Sequence, residues 1–253
     1  MENITPPGFP PNWKWVELSE TESTNNYAMA QVHAGLAHEG YSVLAHYQTK
    51  GKGRLEKKWM SSVGESIALS VVLEPSFLLT MQGFRISAAV ALATYDLVSN
   101  YVDADVTIKW PNDIYIGNAK LAGILIENLI KGDRLYYSVA GIGINVAQSS
   151  FDNALSNAVS LHQATGHIFS YVEMAKELCG HIHHRMEMLR NNDFNILLKE
   201  YNDRLYKKNE KVKLKKKNIV FEAVIKEVSA DGRLKVSGAT EEFFSLNEIS
   251  WVI

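Results

Sequence analysis

Residues 66–73 read SIALSVVL, eight residues without a charge, and FRISAAVALATYDLVSNY (84–101) then spaces its apolar residues at helical intervals. The first predicts a buried strand and the second a long helix covering it. Upstream, ESTNNYAMAQ (22–31) opens on Ser23, Thr24 and Asn25, residue types that cap helices, and SVLAHYQ (42–48) is a β-rich run entering the flexible, basic, glycine-containing loop TKGKGRLEKKW (49–59). Between 105 and 147 lie DVTIKW, DIYI, KLAGILIEN and LYYSVAGIGINVA, separated by Pro111-Asn112, Gly117-Asn118 and Lys131-Gly132-Asp133. That pattern predicts a largely antiparallel meander. From Tyr171 to about Tyr206 helical spacing returns, enough for one or two helices. Beyond it, KVKLKK, IVFEAVIKEVS, RLKVSG and EEFFSLNEISWVI alternate over short spans, broken at Lys217-Asn218, Asp231-Gly232 and Ser237-Gly238. These predict a small β-barrel.

The expected class is α+β, a mixed or antiparallel sheet packed with helices, followed by the small barrel. Residues 1–12, with Pro6, Pro7, Pro10 and Pro11, are expected to form an extended, loosely ordered lead-in; 13–206 form the main domain and 207–253 the appendage. The 253 residues, 46% of them apolar, suffice for a real core, and no internal repeat is visible.

Composition narrows the chemistry. A formal net charge of -2 favours neither bulk nucleic-acid binding nor an acidic solubilising role. A single cysteine, Cys179, excludes an internal disulfide and a multi-cysteine metal cage; it reads as a small buried hydrophobe on a helix. The eight histidines, His33, His38, His46, His162, His167, His181, His183 and His184, form no metal pattern, and His181 and His184 are expected on an exposed helix face. No metal site is expected. Nothing at the N-terminus resembles a secretion signal and no segment is apolar for the length of a membrane span, so a soluble cytoplasmic protein is expected.

Three polar clusters interrupt the apolar pattern. Gly51-Lys52-Gly53-Arg54, with Lys57, Lys58 and Trp59 after it, offers glycine backbone that a ligand can approach, cations for phosphate and a stacking face. It also reads as a solvated hairpin tip, and it is neither a Walker loop nor a dinucleotide fingerprint. Lys109-Trp110-Pro111-Asn112-Asp113, with Lys120 and Gly123 beyond, sets a lysine, an amide and a carboxylate around a tight turn between buried strands. A plain Pro-Asn-Asp turn with two surface lysines accounts for it equally well. Gly141-Ile142-Gly143-Ile144-Asn145 puts two glycines inside a strand, the mark of a bulge or a close approach, with Asn145 able to read a base or ribose; packing alone also accounts for the glycines.

Taken in order, Ser23-Thr24-Asn25, Gln48, Gly51 to Arg54, Trp59, Lys109 to Asp113, Lys120 to Leu125 and Gly141 to Asn145 resemble the biotin protein ligase family. The family shows Gly-Arg-Gly-Arg and then Gly-Arg before the tryptophan; here Lys52 replaces the first arginine and Glu56-Lys57 the later pair. The resemblance implies a biotin/lipoate ligase-like catalytic domain with an SH3-like C-terminal domain, without the family's N-terminal DNA-binding domain. It implies activation of biotin by ATP with Mg2+ to biotinyl-5'-adenylate, then transfer to a lysine of the biotin carboxyl carrier domain of a biotin-dependent carboxylase. Biotin would meet Ser23, Thr24, Asn25, Gln48, Gly51, Lys52, Gly53, Arg54 and Lys120. The nucleotide would meet Lys52, Arg54, Trp59, Asn112, Asp113, Lys120 and Asn145, with Lys120 and Arg54 in the catalytic roles. Adenylation would lie outside residues 207–253, which by the same resemblance help support nucleotide and carrier at the mouth of the site. The resemblance leaves room for a homodimer and implies no specific nucleic-acid or membrane partner. Lipoate ligase or octanoyltransferase chemistry, and a biotin-responsive regulatory protein, stand as the alternatives; the lysines between Lys207 and Lys217 read as a solvated strand face or a docking surface for an acidic carrier.

Overall fold

A computed structural model describes residues 7–54, 57–60, 62–152, 157–238 and 241–252. Its first five elements are β1 (Lys14–Leu18), α1 (Thr24–His33), β2 (Tyr41–Ala45), β3 (Ser66–Leu73) and α2 (Phe84–Ser99). The meander follows as β4 (Val106–Lys109), β5 (Asp113–Ile116), β6 (Ala119–Lys131) and β7 (Arg134–Asn145). These strands form one seven-stranded sheet in the order β1-β2-β3-β7-β6-β5-β4. Only the edge pair β1 and β2 is parallel, and α1 supplies the crossover such a pair requires.

β3 is buried along its whole length because the sheet is covered on both faces. Leu69, Val71 and Leu73 enter the large core shared with α2 and with α4 (Tyr171–Arg190), while Val72 joins a smaller core beneath α1. On the α1 face the next alternate positions of β3 are the small residues Ser70 and Ala68, and there the packing opens into a cleft. The short α3 (Leu161–Thr165) begins at a capping box made by Ser160 and Gln163. α5 (Phe194–Asp203) completes the helical layer beside α2.

The C-terminal strands β8 (Lys211–Lys216), β9 (Ile219–Val228), β10 (Leu234–Ser237), β11 (Glu241–Phe244) and β12 (Ser250–Trp251) make an antiparallel sheet of order β11-β10-β9-β8-β12. Two tryptophans tie it to the larger unit. Trp110 Nε1 donates to the Gly232 carbonyl at 3.0 Å, and Trp251 Nε1 donates to the Trp110 carbonyl at 3.0 Å.

Several expectations need correction. Residues 1–6 lie outside the described residues, but 7–10 are packed rather than loose: the Pro7 and Gly8 carbonyls sit where a Cβ on Gly180 of α4 would be, and Phe9 meets Trp13 and Trp15 edge-on. His184 is exposed as expected, but His181 is buried, with Nε2 3.5 Å from a Glu177 carboxylate oxygen, because its turn of α4 faces the core. Cys179 needs no correction: it is fully buried on α4 as expected, and burial pushes its thiol up to about 12.

Candidate functional site

The three polar clusters and the start of α1 converge on one cleft of about 520 Å³ at the α1 face of the sheet. Its inner end is built by α1. Ser23 occupies the N-cap position, but its side chain makes no capping hydrogen bond, and Thr24 and Asn25 turn inward instead. The Gln48 side-chain oxygen accepts from the Thr24 amide at 2.8 Å and from its hydroxyl at 3.2 Å. Ser70 Oγ stands 2.7 Å from the Thr24 hydroxyl and 2.6 Å from Asn25 Oδ1. Asn25 Nδ2 donates to Glu127 at 2.8 Å and to the Leu125 carbonyl at 3.3 Å. The Asn25 amide is thus spent on the protein and holds neighbouring groups in place. Ser23, Thr24 and Gln48 line the cleft as a short polar wall of the kind that reads a small ring with both donors and acceptors, and Ser70 supports Thr24 and Asn25 from behind it.

The floor is paved with glycine. Gly123 of β6 pairs with Gly143 of β7, and Leu125 with Gly141. A Cβ on Gly143 would lie 2.4 Å from the Trp59 ring, and one on Gly141 would lie 2.3 Å from Asn25 Oδ1. The glycines therefore make room for Trp59 and Asn25, so the packing of these two side chains by itself requires them. Trp59 rests on the floor with Nε1 buried and without a hydrogen-bond partner among the described residues. The segment leading to it is folded back on itself: Lys52 bridges Lys58 in antiparallel fashion, Trp59 N donates to Gly51 O at 2.9 Å and Gly53 N to Lys57 O at 2.7 Å. The described ends of this expected flexible loop are thus a hairpin, and Glu56 lies outside the described residues.

β5 and β6 place the charged groups. Asp113 pairs with Gly123 and Ile114 with Ala122, but Tyr115 pairs with Lys120, so Leu121 is an extra residue in a bulge. Leu121 enters the core, and Lys120 thereby shares a face with Gly123 and Asp113 in spite of the odd spacing in sequence. Lys120 Nζ lies 2.7 Å from Asp113 Oδ1. Arg54 is held by two neutral oxygens, Asn112 Oδ1 at 3.3 Å and Asn247 Oδ1 at 2.8 Å, and burial lowers its pKa against the opposing pull of Asp113. A guanidinium engaged by amides keeps its charge available to an anion. Lys52 is 3.4 Å from Glu127. Lys109 is buried among aromatic rings: Nζ donates to Tyr115 OH at 2.9 Å and stands 4.4 Å from the Tyr115 ring, 5.1 Å from that of Trp251 and 5.5 Å from that of Tyr206. Burial, reinforced by Lys120 and Lys57 and opposed by Asp113, brings the Lys109 ammonium down to about 8.

Every residue named from sequence for this site lines the cleft, except Gly51, whose backbone pairs with Trp59 just behind it. Asn145 turns its Nδ2 to the Val159 carbonyl at 3.1 Å. Sequence reasoning assigned no role to Lys109 and did not find Tyr115, Asn247 or Trp251. The last two come from the turn before β12 and from β12 itself, so residues 207–253 do not stand apart from the cleft. Lys109 keeps the apolar-polar alternation of VTIK and so gave no signal of its burial, and only the tryptophan so near the end of the chain could have pointed to the C-terminal contribution.

Residues 18–145, just over half of the chain, match the biotin/lipoate A/B protein ligase family. The bifunctional ligase/repressor BirA of Bacillus subtilis is 37% identical over 152 residues, which cover 59% of this chain and 45% of that one. The biotin--[acetyl-CoA-carboxylase] ligase of Paracoccus denitrificans is 34% identical over 161 residues, covering 59% of this chain and 63% of that one. The chain thus spans about half the length of the curated relatives it matches. The fold is similar to that of the Aquifex aeolicus biotin protein ligase solved with biotin and ATP, at a TM-score of 0.79 and 22% identity over 94% of this chain and 97% of that one. It is also similar to the Leishmania major biotin protein ligase solved with biotin, at a TM-score of 0.65 and 23% identity over 94% and 100% of the two chains.

Proposed function

This chain belongs to the biotin/lipoate A/B protein ligase family, and we propose that it condenses biotin with ATP to biotinyl-5'-adenylate and then passes the biotinyl group to a lysine of a biotin carboxyl carrier domain. The observation that carries this reading is the polarity of this cleft. Six cations, Lys52, Arg54, Lys57, Lys58, Lys109 and Lys120, line it with Asp113 as the sole carboxylate among the described residues there, while its inner end is a small polar wall without charge. Such a site suits a neutral ring at one end and several negative charges at the other.

In the first step a carboxylate oxygen of biotin attacks the α-phosphorus; the bond from that phosphorus to the bridging oxygen breaks, and pyrophosphate leaves with the electron pair. No protein nucleophile is required. Lys120 neutralises the two anions that must approach each other, with Asp113 holding its ammonium in place beforehand, and Arg54 meets the phosphates from the hairpin. Ser23, Thr24 and Gln48, which line the inner end of the cleft, face the ureido ring; a ring without matching groups would leave them unpaired at about 1–3 kcal/mol each. Lipoate has no ureido group, and that disfavours the lipoate-ligase alternative. Trp59, Asn112 and Asn145 flank the nucleotide. Mg2+ would arrive on the triphosphate, ligated chiefly by phosphate oxygens and water, with Asp113 the carboxylate at hand. In the second step the amine of the carrier lysine attacks the mixed anhydride and AMP leaves with the acyl–phosphate electron pair.

Among the described residues no helix is long and apolar enough to cross a membrane. We assign the protein to the cytoplasm, where ATP and carboxylase carrier domains meet. The test is biotin-dependent exchange of labelled pyrophosphate into ATP. The wild-type chain is expected to catalyse it and Lys120→Ala to lose at least about a hundredfold while staying folded; exchange at near wild-type rate by the variant would remove Lys120 from this role.

A further inference from the structure

Lys120 pairs with Tyr115 of β5 next to Leu121, the extra residue of the bulge. A short strap, residues 157–160, holds it from the other side. Lys120 N donates to the Asn157 carbonyl at 2.8 Å, Val159 N donates to the Lys120 carbonyl at 2.9 Å, and Ala158 forms a parallel bridge with Lys120. The strap is fixed in turn from β7 and the turn after it. Asn145 Nδ2 donates to the Val159 carbonyl at 3.1 Å, and Ser160 Oγ donates to the Gln148 carbonyl at 2.6 Å.

The orientation of the Asn145 amide decides whether this chain of hydrogen bonds closes. With Nδ2 on Val159, Asn145 Oδ1 needs a donor, and it faces Gln148 Nε2 at 3.5 Å. Gln148 Nε2 also donates to Ser66 Oγ. In this orientation Gln148 Oε1 is buried with no partner among the described residues, an expensive arrangement for a side chain 4% exposed. The reverse orientation would set two amide oxygens against each other and turn Asn145 away from the strap. Gln148 does not line the cleft, so no ligand contact explains its placement.

We propose that Gln148 is a positioning residue for the adenylation lysine: it orients the Asn145 amide, which holds the strap, which holds the Lys120 backbone. Asn145 also lines the cleft between Gly143 and the strap, so a nucleotide group settling against it bears on the same hydrogen-bond chain that fixes Lys120. This rests on the proposed role of Lys120 in adenylate formation.

Gln148→Glu tests it, because the side chain keeps its shape and can accept from the Ser66 hydroxyl where Gln148 donates to it, but presents only acceptors to Asn145. The full chain is measured for pyrophosphate exchange, for binding of biotin alone, and for amide hydrogen exchange of Lys120 and Val159. The expected result is a fall in kcat of about tenfold to a hundredfold, biotin affinity within about twofold of wild type, and loss of amide protection at Lys120 and Val159 while the amides that pair β3 with β7 keep theirs. Gln148→Met, which removes the donor without adding charge, is expected to fall in the same direction by a smaller factor. Unchanged kcat in folded Gln148→Glu, or retained protection at Lys120 and Val159, would overturn the proposal, and so would an equal loss of biotin binding, which would mark general structural damage. Absence of biotin-dependent exchange in the wild-type chain would instead overturn the ligase reading, while the hydrogen-exchange comparison would still report on the strap.

Discussion

Lys109 is 4% exposed, and three aromatic rings surround an ammonium that burial has brought down to about 8. Below that pH the side chain is charged and adds to the field that draws a triphosphate; above it the charge is lost, although bound phosphate favours the protonated form. The KM for ATP is therefore expected to rise as the pH goes from about 7 to about 9. Arginine stays charged across that range, so Lys109→Arg should flatten the dependence. Parallel profiles for the two proteins would show that Lys109 is not the titrating group. Lys120 and Asp113 could be read from sequence because a turn between two apolar strands exposes its polar members. The burial of Lys109 could not, because its cage is assembled from Tyr115, Tyr206 and Trp251, which are distant in sequence except for the first.

The strands of the meander were legible element by element, since apolar runs bounded by turn residues fix them locally. Their partners were not. β1 pairs in parallel with β2 through the α1 crossover, and the bulge at Leu121 reverses the facing of Lys120, neither of which alternation in the sequence reveals. The glycines of β7 are legible as a close approach, while what approaches depends on α1 and on the hairpin before Trp59. That approach gives a sharp expectation. Gly141→Ala would place a Cβ 2.3 Å from Asn25 Oδ1, so Asn25 must move and the hydrogen bonds it makes with Ser70, Glu127 and Leu125 weaken. Calorimetric titration should show biotin binding weakened by about tenfold or more, with nucleotide affinity little changed. Tight biotin binding by Gly141→Ala would mean that Asn25 does not hold the ring site together.

At the scale of the whole molecule, the C-terminal sheet is joined to the cleft through the Trp110–Gly232 and Trp251–Trp110 hydrogen bonds and the Arg54–Asn247 contact, while its β8 strand presents Lys211, Lys213, Lys215 and Lys216 to solvent. Lys211 is already paired with Glu222 at 2.5 Å, which leaves Lys213 and Lys215 the better positions to probe. If an acidic carrier domain docks there, Lys213→Glu with Lys215→Glu should slow transfer of biotin to the carrier more than adenylate synthesis, and added salt should narrow the gap. Equal loss in both half-reactions would point to structural damage, and no loss in either to an ordinary solvated strand. The central claim is the chemistry of the cleft itself, and mass spectrometry of the product tests it most directly. Incubated with ATP, Mg2+ and equal amounts of biotin and lipoate, without a carrier, the protein is expected to accumulate biotinyl-adenylate; lipoyl-adenylate in its place, or no adenylate from a folded protein, would contradict the account.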